Sequence, residues 1–172
     1  MLGLFFRSSK PDLAPYPPDL APYPEVPEDR RVEARAIRDI MSVDPVTVGP
    51  KTPLREVHRL FRRYGFNAFP VVDENRTLLG IVAKLDLFRL FRHDRARLRP
   101  RLSELFAETA EDIMRQRVST VRPGDSVNKV MDLMLGSKLR SVPVVEREGR
   151  AEIVVGIVTN DDVVRSMELA AA

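Results

Sequence analysis

The chain contains one long internal repeat, and this constrains its fold more than any single residue does. Asp39-Ile40-Met41 returns as Asp112-Ile113-Met114, an offset of 112 minus 39, or 73. At that offset Thr47-Val48 matches Thr120-Val121, Pro50 matches Pro123, Val57 matches Val130, and Pro70-Val71-Val72 matches Pro143-Val144-Val145. The register then moves to 76: Gly80-Ile81-Val82 corresponds to Gly156-Ile157-Val158, and Asp86 to Asp162. Three residues are therefore inserted between two matching segments, where Glu146 to Arg150 reads as a hairpin turn. A unit of this size cannot bury its apolar face alone, so each copy must pack against the other.

Each copy predicts the same order of elements. A short extended segment at Val46 to Val48 precedes Pro53 to Tyr64, where Leu54, Val57, Leu60, Phe61 and Tyr64 fall at helical spacing. Pro53 suits the first turn, where its missing N–H is not needed. Two apolar runs follow, Ala68 to Val72 and Leu78 to Val82, separated by the turn-forming Asp73-Glu74-Asn75-Arg76. A second helix starts at Lys84 and runs to about Phe91. The second copy predicts a helix over Ser126 to Leu135, strands at Ser141 to Glu146 and Ile153 to Val158, and a last helix from Asn160. The expected class is α+β: two β-α-β-β-α units over 35–95 and 96–172.

Residues 11 to 24 read PDLAPYP twice, with proline at nearly every other position. Proline fixes φ and removes donors, so residues 1–34 are expected to form an extended tether outside the core, a spacer or a ligand for an aromatic groove. No apolar run approaches the ~20 residues a membrane helix needs. Met1 to Phe6 has no preceding basic residue and is too short for a signal peptide. The expected compartment is cytoplasmic, with no membrane partner. The absence of cysteine excludes disulfides, thiolate nucleophiles and cysteine-ligated metals.

The repeated unit resembles the CBS domain, named for cystathionine β-synthase. In the second copy the resemblance rests on Met114, Thr120-Val121, Pro123, Ser141-Val142-Pro143-Val144-Val145 and Gly156-Ile157-Val158-Thr159-Asn160-Asp161-Asp162. The first copy matches with Met41, Pro45-Val46-Thr47-Val48, Gly65-Phe66-Asn67-Ala68-Phe69-Pro70-Val71-Val72 and Gly80-Ile81-Val82. The resemblance spans 35–169. It implies two CBS repeats packed with pseudo-twofold symmetry, with clefts between them that bind AMP, ADP, ATP or S-adenosylmethionine. It also implies a regulatory rather than an enzymatic role, association into a homodimer, and a separate effector protein.

The family's Ser/Thr-x-x-Asp pattern, whose hydroxyl and carboxylate address ribose and phosphate, falls on Thr159 and Asp162. Thr120, Arg140, Ser141, Val142 and Pro143 complete the ligand set expected for the second copy. In the first copy Ala83 replaces the hydroxyl while Asp86 remains, so a weaker set is expected there: Thr47, Phe66, Asn67, Phe69, Pro70 and Asp86. The family's second pattern, which flanks adenine, is met by Gly65, Phe66, Phe69 and Pro70; in the second copy Lys138 replaces the glycine. Each feature has a plainer structural reading. Thr159 and Asp162 also form a helix N-cap arrangement, and the apolar residues also suit a core.

Other chemistry has little support. Arg89, Arg92, Arg95, Arg97, Arg99 and Arg101 crowd a thirteen-residue stretch. It offers a nucleic-acid reading, but no aromatic residues interleave for stacking and carboxylates follow closely. His58 and His93 lack metal-ligand spacing, so no metal is expected. No Walker loop or nucleophile elbow is present, so no catalysis is expected. A rival to the adenosine sensor is a non-binding scaffold for protein interaction, motivated by Ala83 and Lys138.

Overall fold

The computed structural model describes residues 35–93 and 108–169. The proline tether and Arg95 to Arg101 of the arginine run lie outside them. A 3-10 turn at Ile37–Asp39 leads into β1 (Ser42–Val43), α1 (Leu54–Tyr64), β2 (Ala68–Val72), β3 (Leu78–Ala83) and α2 (Lys84–His93). The second copy follows with α3 (Ala110–Ile113), α4 (Val127–Ser137), β4 (Ser141–Glu148), β5 (Ala151–Thr159) and α5 (Asn160–Leu169).

α1 forms because Leu54, Val57 and Phe61 share one buried face while Arg55, Arg59, Arg62 and Arg63 are exposed. It ends at Gly65, whose φ of 70° is left-handed backbone that glycine adopts freely. α4 ends the same way at Lys138, with φ 53°. β2 pairs antiparallel with β3, and β4 with β5, each with an irregularity at the matching place, Val71/Val72 and Val144/Val145. The inserted residues lengthen the second hairpin: the strands run on to Glu148 and Ala151, and the turn contracts to Gly149 and Arg150, narrower than the turn expected at Glu146 to Arg150.

The extended segment expected at Val46 to Val48 is reduced to one parallel bridge, Val48 with Val71, mirrored by Val121 with Val144. Val48 N–H donates to Pro70 O at 3.0 Å, and Val72 N–H to Val48 O at 2.9 Å. Continuing this ladder toward Val46 would need an N–H on Pro70, which proline lacks; Pro143 ends the second copy's ladder likewise.

The segment that opens each copy crosses to the other. Ile37 N–H donates to Asp125 O (2.8 Å), Arg38 N–H to Pro123 O (2.9 Å), and Val127 N–H to Arg35 O (3.0 Å). The same three bonds recur as Ala110 to Thr52, Glu111 to Pro50 and Leu54 to Glu108, each 2.9 Å. β1 then pairs with β5, Ser42 opposite Ile157, to make a three-stranded sheet in the order β1-β5-β4. Arg115 makes the counterpart bridge to Ile81. Two cores result. Ile37 is buried with Val121, Val130, Val142 and Val158, and Ala110 with Leu54, Val57, Phe69 and Val82. A third cluster, Val72, Val145 and Val154, joins the two hairpins.

Two glycines permit this crossing. A Cβ on Gly80 would stand 2.7 Å from Met114 Sδ and 2.9 Å from Arg115 O; one on Gly156 would stand 2.7 Å from Met41 Sδ and 3.1 Å from Ser42 O. The repeated Met and Gly are therefore partners across the interface. Gly80→Ala and Gly156→Ala should each destabilise the protein by about 1–3 kcal/mol through overpacking. The loss should be larger for Gly80, where backbone itself stands closest, and urea denaturation midpoints measure both.

Acid should loosen the same crossings. The Thr109 N–H, then its hydroxyl, hold the Asp112 carboxyl below its usual range; Lys129, then the Arg122 N–H, do so for Asp125. A carboxylate lowered by folding adds stability that is full above the ordinary carboxylate range and is lost as pH falls from that range through the lowered value of the folded state. Asp112→Asn and Asp125→Asn should therefore each flatten the acid limb of stability against pH, measured by denaturation at stepped pH.

Candidate functional site

Because the opening segments cross, the two clefts are composite, and the pseudo-twofold relates them position by position. One, of about 500 Å³, combines Gly65, Phe66 and Asn67 of the first copy with Thr159, Asp161, Asp162 and Arg165 of the second. The other, of about 380 Å³, combines Lys138, Leu139 and Arg140 of the second copy with Ala83, Lys84, Leu85 and Phe88 of the first. Asn67, Ala68 and Ser141 line both. Both volumes fall within the range of small-molecule sites.

In the larger cleft, β5 ends at Thr159 and α5 begins at Asn160, so the first turn of a helix opens at its wall. Thr159 N–H and Oγ1–H both donate to Asp162 Oδ2, at 2.8 and 2.7 Å, and Asp162 N–H donates to Thr159 Oγ1 at 3.3 Å. The pair is thus an N-cap and a cleft lining at once. Opposite it, the Tyr64 and Phe66 rings stack at 5.3 Å, 15° from parallel, and Phe66 remains 45% exposed. Offset-stacked geometry of this kind is what a further flat ring would continue. Asp44 lines the rim and pairs with Arg76 at 2.7 Å.

The smaller cleft is built differently on the same plan. Asp86 is 1% exposed; its Oδ2 accepts from Ala83 N–H at 2.8 Å and lies 3.4 Å from Arg115 Nε. Lys84 Nζ donates to Gly65 O at 2.7 Å. Tyr64 and Phe66 have Ser137 and Leu139 as counterparts, so the stacked aromatic pair is replaced by smaller side chains.

The expected residues therefore divide by cleft rather than by copy. Thr159 and Asp162 stand with Phe66 and Asn67, not with Arg140; Arg140 and Pro143 stand with Ala83, above the buried Asp86. Phe69 and Val142 are fully buried in the two cores, and Pro70 is buried in β2. Thr47 lines a separate groove with Lys51, Asp73 and Glu74, while Val46 lines the larger cleft. Likewise Ser119, rather than Thr120, lines the smaller cleft. Successive side chains of an extended segment point to opposite sides, so a shift of one residue changes which surface is served. Asp44, Tyr64, Arg165, Arg115 and Arg117 had no signal in a single copy; the crossing of the opening segments brings Asp44, Arg115 and Arg117 in. Among the described residues no three His, Cys, Asp or Glu side chains cluster as metal ligands, and no helix is long and apolar enough to cross a membrane.

The family model for the CBS domain matches residues 37–93 and 110–169, and the chain belongs to that family as a tandem pair. An uncharacterized protein of Methanocaldococcus jannaschii, MJ1225, is 31% identical over 140 residues, covering 80% of this chain and 49% of that protein. Two other curated relatives are longer still, and the chain spans 22% and 23% of them. Among solved structures, CBSX2 in complex with AMP superposes with a TM-score of 0.67 at 26% identity, covering 80% of this chain and 98% of that one. The CBS domain pair of protein MJ0100, in complex with 5′-methylthioadenosine and S-adenosyl-L-methionine, gives a TM-score of 0.65 at 27% identity, covering 78% and 97%.

The double role of Thr159 makes a stability prediction independent of any ligand. Thr159→Val keeps the shape at the end of β5 but removes the hydroxyl that both donates to and accepts from Asp162. It should destabilise the protein by about 1 kcal/mol, the usual worth of an N-cap, read from the denaturation midpoint.

Proposed function

We propose that this CBS-domain pair is a non-enzymatic regulatory module of the cytoplasm. It binds an adenosine-containing ligand between its repeats and passes the signal to a separate effector protein. The observation that carries the reading is the larger cleft. It sets an aromatic wall, Tyr64 and Phe66, against a hydroxyl and carboxylate fixed in register, Thr159 and Asp162. A flat base stacks on the first, and the two vicinal hydroxyls of a ribose donate to the second. The AMP and methylthioadenosine complexes of the structural relatives support the same ligand class.

The composite clefts also supply a means of signalling. A ligand bridging residues of both copies adds contacts only when the copies hold one relative position, so binding favours that position. A homodimer is the working assembly in this reading. Its support is the exposure of Phe88 and Val164, corresponding residues of α2 and α5, at 62% and 52%.

Thermal unfolding in the presence of adenosine, AMP, ADP, ATP, 5′-methylthioadenosine and S-adenosylmethionine tests the proposal. A ligand at a hundred times its Kd adds about 2.7 kcal/mol, raising the midpoint by roughly 5–10 °C in a chain of this size. At least one of these compounds should do so, and Asp162→Ala should remove the shift produced by 5′-methylthioadenosine. If none shifts the native protein, the sensor reading falls and an interaction module that binds no nucleotide replaces it.

A further inference from the structure

We propose that the two clefts divide ligand chemistry by charge: the smaller is a site for a phosphate chain, and the larger takes an uncharged or cationic adenosyl compound. The adenosyl part of this inference rests on the sensor reading above; the phosphate part stands on the smaller cleft alone.

The contrast is laid down position by position. Arg115, Arg117, Lys138 and Arg140 line the smaller cleft, and no carboxylate appears among the described residues lining it. Their counterparts at the repeat offset of 73 are Ser42, Asp44, Gly65 and Asn67, which line the larger cleft. Each of these four cations thus corresponds to a neutral or acidic residue in the other cleft, and the fifth, Lys84, corresponds to Asn160 at the offset of 76. In the larger cleft Asp44, Asp161 and Asp162 stand against Arg165. Five cations, Lys84 included, held around one cavity repel one another unless an anion joins them, and three of the five are guanidiniums, which take phosphate oxygens in pairs.

Two further features fit a phosphate site. Asp86, 1% exposed, sits 3.4 Å from Arg115 Nε, while the Arg115 side chain keeps 40% exposure at the cleft wall. Asp86 therefore acts as a positioning residue: it orients a guanidinium toward the cleft instead of meeting ribose itself. Lys138 holds left-handed backbone at φ 53°, where its counterpart Gly65 holds φ 70°. A side chain there costs strain that glycine avoids, and the strained residue places an ammonium at the cleft.

Isothermal titration of the full chain with ATP, inorganic tripolyphosphate and 5′-methylthioadenosine tests the division. ATP and tripolyphosphate should compete for one site, and both should weaken as salt rises. Arg140→Gln and Lys138→Gly should each weaken both by about tenfold or more, the usual effect of losing a hydrogen bond between charged groups. Lys138→Gly is the guarded variant, since relief of backbone strain should leave its thermal midpoint unchanged or raised while its affinity falls. Binding of 5′-methylthioadenosine should instead depend on Asp162 and ignore Arg140→Gln. If tripolyphosphate does not bind, or ATP affinity is unmoved by both cleft variants, the inference is overturned. If adenosyl compounds bind both clefts alike whatever their phosphate content, the sensor reading stands and the division fails. If tripolyphosphate binds with the expected variant pattern while no adenosyl compound binds at all, the division's phosphate half stands and the sensor reading fails.

Discussion

Everything in this structure depends on the exchange of opening segments between the two copies. Met41 reaches the backbone at Gly156, and Met114 reaches the backbone at Gly80. These paired approaches let Ile37 fill the second core and Ala110 the first. Neither copy has a complete core without a segment of the other, so the copies are joined by their interiors as well as by a surface. The clefts follow directly. The chain that crosses runs on past β1 and past Arg115 along the mouth of the other copy's hairpin, and it supplies Asp44 to one cleft and Arg117 to the other.

The exchange explains why two clefts on one plan can diverge. Each cleft has a hairpin-and-helix wall from one copy and a helix-cap wall from the other, so a substitution outside the shared Asn67, Ala68 and Ser141 alters one wall only. Replacing a hydroxyl by Ala83 alters the cap wall of the smaller cleft, and there Arg115 stands beside the remaining carboxylate. Placing Lys138 where the first copy has Gly65 alters the opposite wall of that same cleft. The duplicated frame is kept by apolar residues at matching positions, Val71 with Val144 and Val82 with Val158, all fully buried. The residues around the clefts carry the differences, the charged ones and the Tyr64–Phe66 pair alike.

Most of the fold is legible in the sequence, because the long helices and the hairpin strands are signalled within a few residues, whereas the turn at Ile37–Asp39, β1 and α3 carry no such signal. Helical spacing marks α1, apolar runs bounded by turn residues mark the hairpins, and the doubled set marks the two copies as equivalent. The crossing is not legible, since no local pattern distinguishes a segment that packs on its own copy from one that packs on its twin. The clearest sign was the recurrence of Met41 with Met114 and of Gly80 with Gly156, which only the packing reveals as two crossed pairs. The site was legible to the same degree. The family pattern picks out Thr159 and Asp162, and both line a cleft, but their facing partners Tyr64 and Phe66 come from the other copy. Thr47 and Thr120 lie one residue from the cleft-lining Val46 and Ser119, because the side an extended residue faces is set by strand register and not by residue type.

The central claim is that a ligand site here is made by both copies together. It is tested most directly by titrating 5′-methylthioadenosine into isotope-labelled protein and following backbone amide resonances. The account predicts that amides of Gly65 to Ala68 and of Thr159 to Asp162 move together, along one saturation curve. Movement confined to the residues of a single copy, or the two groups saturating at different concentrations, would contradict it.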